Sequence, residues 1–179
     1  LVAFMFVNTR LLGFKIPFHI NFEEVNLRFY VKRLENNEWK RGVVFIKEIV
    51  PKIAISFIAN TVYNENYETL KMKHLWEEVN EKRKVQYKWL KNKKWNSIEL
   101  TANKDSQEIT AHSKAEFITE HYWGYSKSNS KKSYEYEVRH PKWREYLILN
   151  SKIDVDFQSN YGIEFASLSK KEPDSVMLA

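Results

Sequence analysis

With 179 residues, 43% hydrophobic and 15% aromatic, the chain is long enough to bury a sizeable core, and disordered, collagenous and low-complexity classes are excluded. Only 4 glycines occur, against roughly 12 for an average chain of this length, and there is no P-loop or GxGxxG; the absence of cysteine removes disulfides, thiolate metal sites and cysteine nucleophiles. The formal net charge of +6 arises from 29 Lys+Arg and 23 Asp+Glu and is concentrated in one short stretch.

The chain opens in the apolar run Leu1-Val2-Ala3-Phe4-Met5-Phe6-Val7 and closes in Val176-Met177-Leu178-Ala179, so both ends are expected to cut through structured elements of a single larger domain. No secretory signal is visible. Glu24 to Arg33 alternates, with Val25, Leu27, Phe29 and Val31 on one face and Asn26, Arg28 and Tyr30 on the other, which predicts a strand. Glu35-Asn36-Asn37-Glu38 turns the chain into a second, deeply buried strand over Trp39 to Val50, which Pro51 ends. Apolar spacing over Lys52 to Asn60 predicts a short helix. The apolar stretches Val43 to Ile46 and Ile53 to Ile58 fall far short of the ~20 residues of a membrane span.

Further strands are predicted at Tyr67 to Val79, Lys82 to Lys91, Trp95 to Ala102, His121 to Lys127, Ser133 to Arg139 and Trp143 to Asn150. Hairpin turns are expected at Lys91-Asn92-Lys93-Lys94 and across Ser128 to Lys132. Ser113 followed by Glu116 reads as a capping box opening a helix through Thr119, and Asp156 to Ser169 reads as another helix. Many short strands with few helices predict a mainly β, α+β chain whose antiparallel sheet closes or nearly closes.

Seven cations lie between Lys82 and Lys94 without an acid among them, interleaved with Tyr87, Trp89 and Trp95. Such a stripe would track phosphates only if its cations shared a face. Lys82, Lys84 and Lys88 have one parity and Arg83, Lys91 and Lys93 the other, so a solvated hairpin is expected and nucleic acid is not an expected partner.

The five histidines lack the i, i+2 or i, i+4 spacings of dedicated metal sites, so no metal or other cofactor is expected. His121 and His140 mark the two ends of the predicted last hairpin. No Gly-x-Ser-x-Gly elbow is present. The adjacent pairs Glu23-Glu24 and Glu77-Glu78 point to opposite strand faces and make no shared acid/base site. The row Glu24, Asn26, Arg28, Tyr30 faces either solvent or a lumen, and in a lumen Arg28 is a bidentate clamp for carboxylate or phosphate. Arg10 adds a second cation, and Tyr63-Asn64-Glu65-Asn66-Tyr67 is a candidate rim. Lys47 and Lys52 are candidates for a desolvated Schiff-base lysine.

The segments Phe4 to Arg10, Ile16 to His19, Asn21 to Val31, Arg41 to Pro51, Tyr63 to Tyr67 and Glu120 to Tyr125, continuing through Val138 to Trp143, resemble the YqjF-like family of uncharacterised conserved bacterial proteins. The resemblance spans nearly the whole chain, and it implies members that extend beyond both ends. It also implies the acetoacetate decarboxylase-like fold, a cone-shaped antiparallel β-barrel with few helices around a cavity. In true acetoacetate decarboxylases two adjacent lysines follow a proline; here Pro51-Lys52-Ile53 offers one, so only desolvation is left to lower its pKa. The expected function is a cytoplasmic small-molecule-binding barrel for an anionic or carbonyl-bearing organic ligand, contacted by Arg28, Asn26, Tyr30, Arg10 and His121. Assembly into a homo-oligomer is left open, and membranes are not expected partners. The alternative is a Schiff-base lyase working through Lys52 on a β-keto acid or aldehyde.

Overall fold

The computed structural model describes residues 1–10, 17–127, 132–137 and 142–179. In chain order the elements are β1 (Val2–Phe6), β2 (Phe22–Glu35), β3 (Glu38–Val50), α1 (Ile53–Val62), β4 (Tyr67–Thr69) and β5 (Lys71–Val79). There follow β6 (Lys82–Lys91), β7 (Lys94–Glu108), α2 (Lys114–Thr119), β8 (Trp123–Lys127), β9 (Ser133–Glu137), β10 (Arg144–Asp154), α3 (Phe157–Tyr161) and a 3₁₀ helix (Ile163–Lys170). They gather into two compact units, one of Leu1–Lys73 with Trp123–Glu137, the other of His74–Tyr122 with Val138–Ala179. Each is described by itself.

The turns reflect the scarcity of glycine. Asn36-Asn37, Asn80-Glu81 and Asn92-Lys93 each place two consecutive residues at positive φ, between 49° and 65°, the two-residue geometry whose twist matches the flanking strands. Asparagine takes the first position each time because its short polar side chain tolerates the left-handed region. The expected turn across Ser128 to Lys132 and His140, at one end of the predicted last hairpin, lie wholly or largely outside the described residues.

In the first unit the sheet order is β1-β2-β3-β8-β9, with β4 also on β3. The pairs β1–β2, β2–β3 and β8–β9 are antiparallel, whereas β4 and β8 both join β3 in parallel, β8 near Gly42 and β4 over Glu48 to Val50. The single strand expected over Tyr67 to Val79 is broken at Leu70, whose N–H donates to the Val50 carbonyl at 3.1 Å. Beyond it the chain leaves for the other sheet. That sheet has the order β10-β7-β6-β5. Among the described residues neither sheet closes on itself, which departs from the expectation of one antiparallel sheet that closes or nearly closes into a barrel. Of the strands after Leu70, β5, β6, β7 and β10 form a separate four-stranded sheet, so β1 and β9 remain edges of the first. Mainly β with a few short helices is the class the structure shows.

The second unit is built on alternation in β6. Val85, Tyr87 and Trp89 are buried, while Lys82 and Lys84 on the other face are exposed and Lys88 is half-buried. Arg83 shares the buried parity; it donates to the Tyr146 hydroxyl at 2.8 Å and pairs with Glu78. The seven cations therefore split between faces, as the parity requires. The indole of Trp89, fully buried, donates to Asn160 Oδ1 at 2.8 Å, and Asn160 donates in turn to Asn96 Oδ1 at 3.0 Å and to the Asp156 carbonyl at 2.7 Å. Asp156 caps α3 by accepting from Ser159 N at 3.0 Å, and Ser113 caps α2 by accepting from Glu116 N at 3.1 Å, while the Glu116 carboxylate accepts from His112 N, one residue before the cap, at 2.6 Å. A buried donor left without a partner costs roughly 1–3 kcal/mol, so Asn160→Ala should destabilise the second unit by that amount. Urea unfolding followed by tryptophan fluorescence checks this, and an unchanged midpoint would remove the amide network from the account.

Candidate functional site

In the first unit the polar row of β2 points inward. Glu24 is 1% exposed and Asn26 0%, while Arg28 and Tyr30 on the same parity are half-buried. The register sets Asn26 opposite Glu48 across β2–β3 and Glu48 beside Tyr67 across β3–β4, so the three side chains share one sheet face. Glu48 is 3% exposed. Asn26 Nδ2 donates to Glu24 Oε1 at 2.8 Å and the Tyr67 hydroxyl donates to Glu24 Oε2 at 3.2 Å. Tyr67 is also hydrogen-bonded to Glu48, whose Oε2 is buried without a hydrogen-bond partner.

Local structure fixes these groups. A bulge at Ile46 in β3 leaves its carbonyl outside the β2 ladder, and Asn66 Nδ2 donates to it at 2.7 Å. From α1, Asn60 holds both backbone groups of Tyr67, accepting from its N–H at 2.7 Å and donating to its carbonyl at 2.9 Å. On the β8–β9 side Gly124 stands opposite Tyr136, whose ring occupies the space a Cβ at Gly124 would need. The Tyr136 hydroxyl is thereby carried to Glu65, with which it hydrogen-bonds.

The electrostatics follow from burial. Desolvation pushes Glu24 up to about 7 despite the hydrogen bonds of Asn26 and Tyr67 and the charge of Arg28. Desolvation, reinforced by the charges of Glu24 and Glu65, pushes Glu48 up to about 10. Burial also raises Glu65, Tyr67 and Tyr136. At neutral pH the cluster holds protons that exposed glutamates would have lost. Beside it lies a cavity of about 340 Å³ lined by Ile55, Ile58, Ala59, Tyr63, Glu65, Tyr67 and Tyr136. One wall is apolar, supplied by α1; the rest of the lining is one carboxyl and three tyrosines. In the second unit a larger depression of about 580 Å³ is lined by Asp156, Gln158, Ala166, Ser167, Ser169, Lys170 and Lys171, where Asp156 and Ser169 are already engaged with backbone N–H groups.

Of the residues singled out from sequence, Asn26, Arg28 and Tyr30 stand together. The Arg28 guanidinium lies over the Tyr30 ring at 5.4 Å, donates to its hydroxyl at 3.4 Å and acts as a countercharge to Glu24 and Glu48. Tyr63, Glu65 and Tyr67 from the candidate rim line the cavity. Arg10 is exposed after β1. His121 belongs to the second unit, buried edge-on against Phe117 with ring centroids 5.0 Å apart. Lys47 pairs with Glu68 at 3.4 Å, and Lys52 opens α1, its carbonyl accepting from Ile55 and Ser56 N–H. Neither lysine is among the residues lining the cavity. Glu48 and Tyr136 were not legible as site residues. A lone acid near the end of the apolar run Val43 to Val50 is the signal that would have found Glu48; nothing local marks Tyr136.

The fold and site define a mainly β protein of two units, one carrying a buried carboxyl–phenol cluster beside a small cavity. The chain belongs to the DUF2071 family, described as an uncharacterized conserved protein and also known as the YqjF-like family, whose model matches residues 1–179. No curated protein matches it. Among the described residues no helix is long and apolar enough to cross a membrane, and no group of three His, Cys, Asp or Glu is arranged to hold a metal ion.

Because Glu24 and Glu48 bind protons more tightly folded than unfolded, the stability they contribute is full below about pH 4.5 and is lost as pH rises toward 10. Glu48→Gln keeps the shape and removes the titration. Its melting temperature should exceed that of the parent at pH 9 and fall less steeply between pH 5 and pH 10; parallel profiles for the two proteins would refute the burial argument.

Proposed function

We propose that the first unit binds a small carbonyl-bearing organic molecule in the cavity beneath α1. The supporting observation is the division of the lining into an apolar wall, Ile55, Ile58 and Ala59, and a hydrogen-bonding end, Glu65, Tyr67 and Tyr136. Small-molecule sites combine largely apolar walls with a few placed polar groups, and about 340 Å³ is at the lower end of their size. Phenols donate hydrogen bonds, and a carbonyl oxygen accepts them. An anion is the less suitable ligand, since Glu65 lines the cavity and Arg28 already serves Glu24 and Glu48 in the cluster beside it. The family resemblance supports a wider kinship with the acetoacetate decarboxylase-like fold. That reading keeps an interior cavity and gives up the continuous hydrogen-bonded cylinder.

The alternative, a Schiff-base lyase at Lys52, is distinguished by treating the chain with acetoacetate and borohydride and mapping any reduced adduct by mass spectrometry. For the binding reading, 2-pentanone and cyclohexanone should show saturation transfer from the protein by NMR, while pentane-like analogues without the oxygen bind more weakly. Loss of one hydrogen bond of about 1.4 kcal/mol corresponds to roughly tenfold in affinity, so Tyr67→Phe should weaken the ketones by about that factor. Equal affinity for ketone and hydrocarbon, or an indifferent Tyr67→Phe, would defeat the proposal.

A further inference from the structure

We infer that this cavity is catalytic, and that it enolises its ligand with Glu65 as the base at carbon and Tyr67 as the acid at oxygen. The inference rests on the carbonyl-binding reading and adds a reaction to it. Both residues line the same cavity, on the polar side facing the apolar wall of α1. Glu65 Oε1 is buried and has no hydrogen-bond partner, so this cavity-lining carboxyl keeps an acceptor position that no donor fills. Tyr136 and Ser126 hydrogen-bond to the same carboxyl and hold it in place. Such an oxygen is suited to taking a proton from carbon, where no hydrogen bond precedes the transfer.

Tyr67 is backed differently. Its hydroxyl donates to Glu24 at 3.2 Å and is hydrogen-bonded to Glu48, which lies behind it at 3% exposure with one oxygen unpartnered. The phenol thus connects the cavity to a carboxyl pair that holds protons away from water. Paired groups whose surroundings push their proton affinities apart divide naturally into acid and base, and here the deeper carboxyls are the more strongly protonated.

The step balances without a co-reactant. Glu65 takes a proton from the carbon next to the carbonyl; the C–H bond breaks, an O–H bond forms and the C–H electron pair becomes the C=C π bond. The carbonyl π pair moves to oxygen, which takes the Tyr67 proton, and Glu48 replaces that proton on the phenol. Reversal returns the ketone, so the net result is exchange or migration of a proton next to a carbonyl.

The test uses the full chain in buffered D₂O with 2-pentanone, following loss of the C1 and C3 proton signals by NMR while saturation transfer reports binding on the same sample. Positioned acid–base groups contribute about 10²–10⁴-fold, so exchange should exceed the buffer rate and fall at least about 100-fold in Glu65→Gln with binding retained. Glu65→Asp, which keeps the charge but withdraws it by one methylene, should bind the ketone and exchange it slowly; this variant carries the test if the glutamine variant does not fold. Lys52→Ala should exchange normally. Bound ketone that exchanges only at the buffer rate overturns this inference and leaves the binding reading standing. Absence of bound ketone overturns both. Exchange lost in Lys52→Ala but intact in Glu65→Gln overturns it in favour of amine catalysis.

Discussion

Glu24 and Glu48 lie in the sheet of the first unit where water does not reach them, and much of that unit's chemistry follows from their burial. An ionised carboxylate moved out of water without compensation costs many kcal/mol, so the group either gains partners or keeps its proton. Here both responses occur. Glu24 receives Asn26 and Tyr67 and feels Arg28, whereas Glu48 has fewer partners and responds mainly through protonation. Two neighbouring glutamates of the same chemistry are thereby set apart by their surroundings alone.

The second unit meets the same difficulty with neutral groups. Asn96, Asn160 and Trp89 are each fully buried, and their amides and indole satisfy one another and the backbone at the start of α3. Neutral amides have no proton to gain or lose near physiological pH, so this network holds shape. The carboxyl–phenol cluster, with a buried unpartnered oxygen on Glu48 and another on Glu65, is incompletely satisfied beside a cavity. Natural domains satisfy nearly all buried polar atoms, and departures concentrate where function requires them.

Topology brings the cluster together. The parallel attachment of β4 to β3, three residues long, is what sets Tyr67 beside Glu48. A strand that short has little stability of its own, and the Asn60 clamp from α1 on both backbone groups of Tyr67 supplies what the ladder does not. Tyr136 depends on a missing side chain, since only a glycine at position 124 leaves room for its ring over β8. The cavity is thus assembled from a helix, the loop that follows it, a three-residue strand and the β8–β9 hairpin.

The sequence by itself determined the local structure of this chain. Alternation gave β2 and β6 their faces, a continuous β-branched apolar run marked β3, Asn-led turns marked two of the three described hairpin loops, and Ser113 with Glu116 marked α2, because these depend on neighbours within a few residues. It also determined that Glu24, Asn26, Arg28 and Tyr30 share a side, although parity cannot say whether that side meets water. Tertiary structure alone decided that Glu24 and Asn26 of the row are buried, that the strand expected from Tyr67 to Val79 divides between two sheets at Leu70, and that neither sheet closes among the described residues. It also decided the roles of Glu48, Glu65 and Tyr136 in one cluster. Those outcomes depend on register across strands far apart in the chain and on desolvation, which a side chain acquires only when other segments exclude water from it.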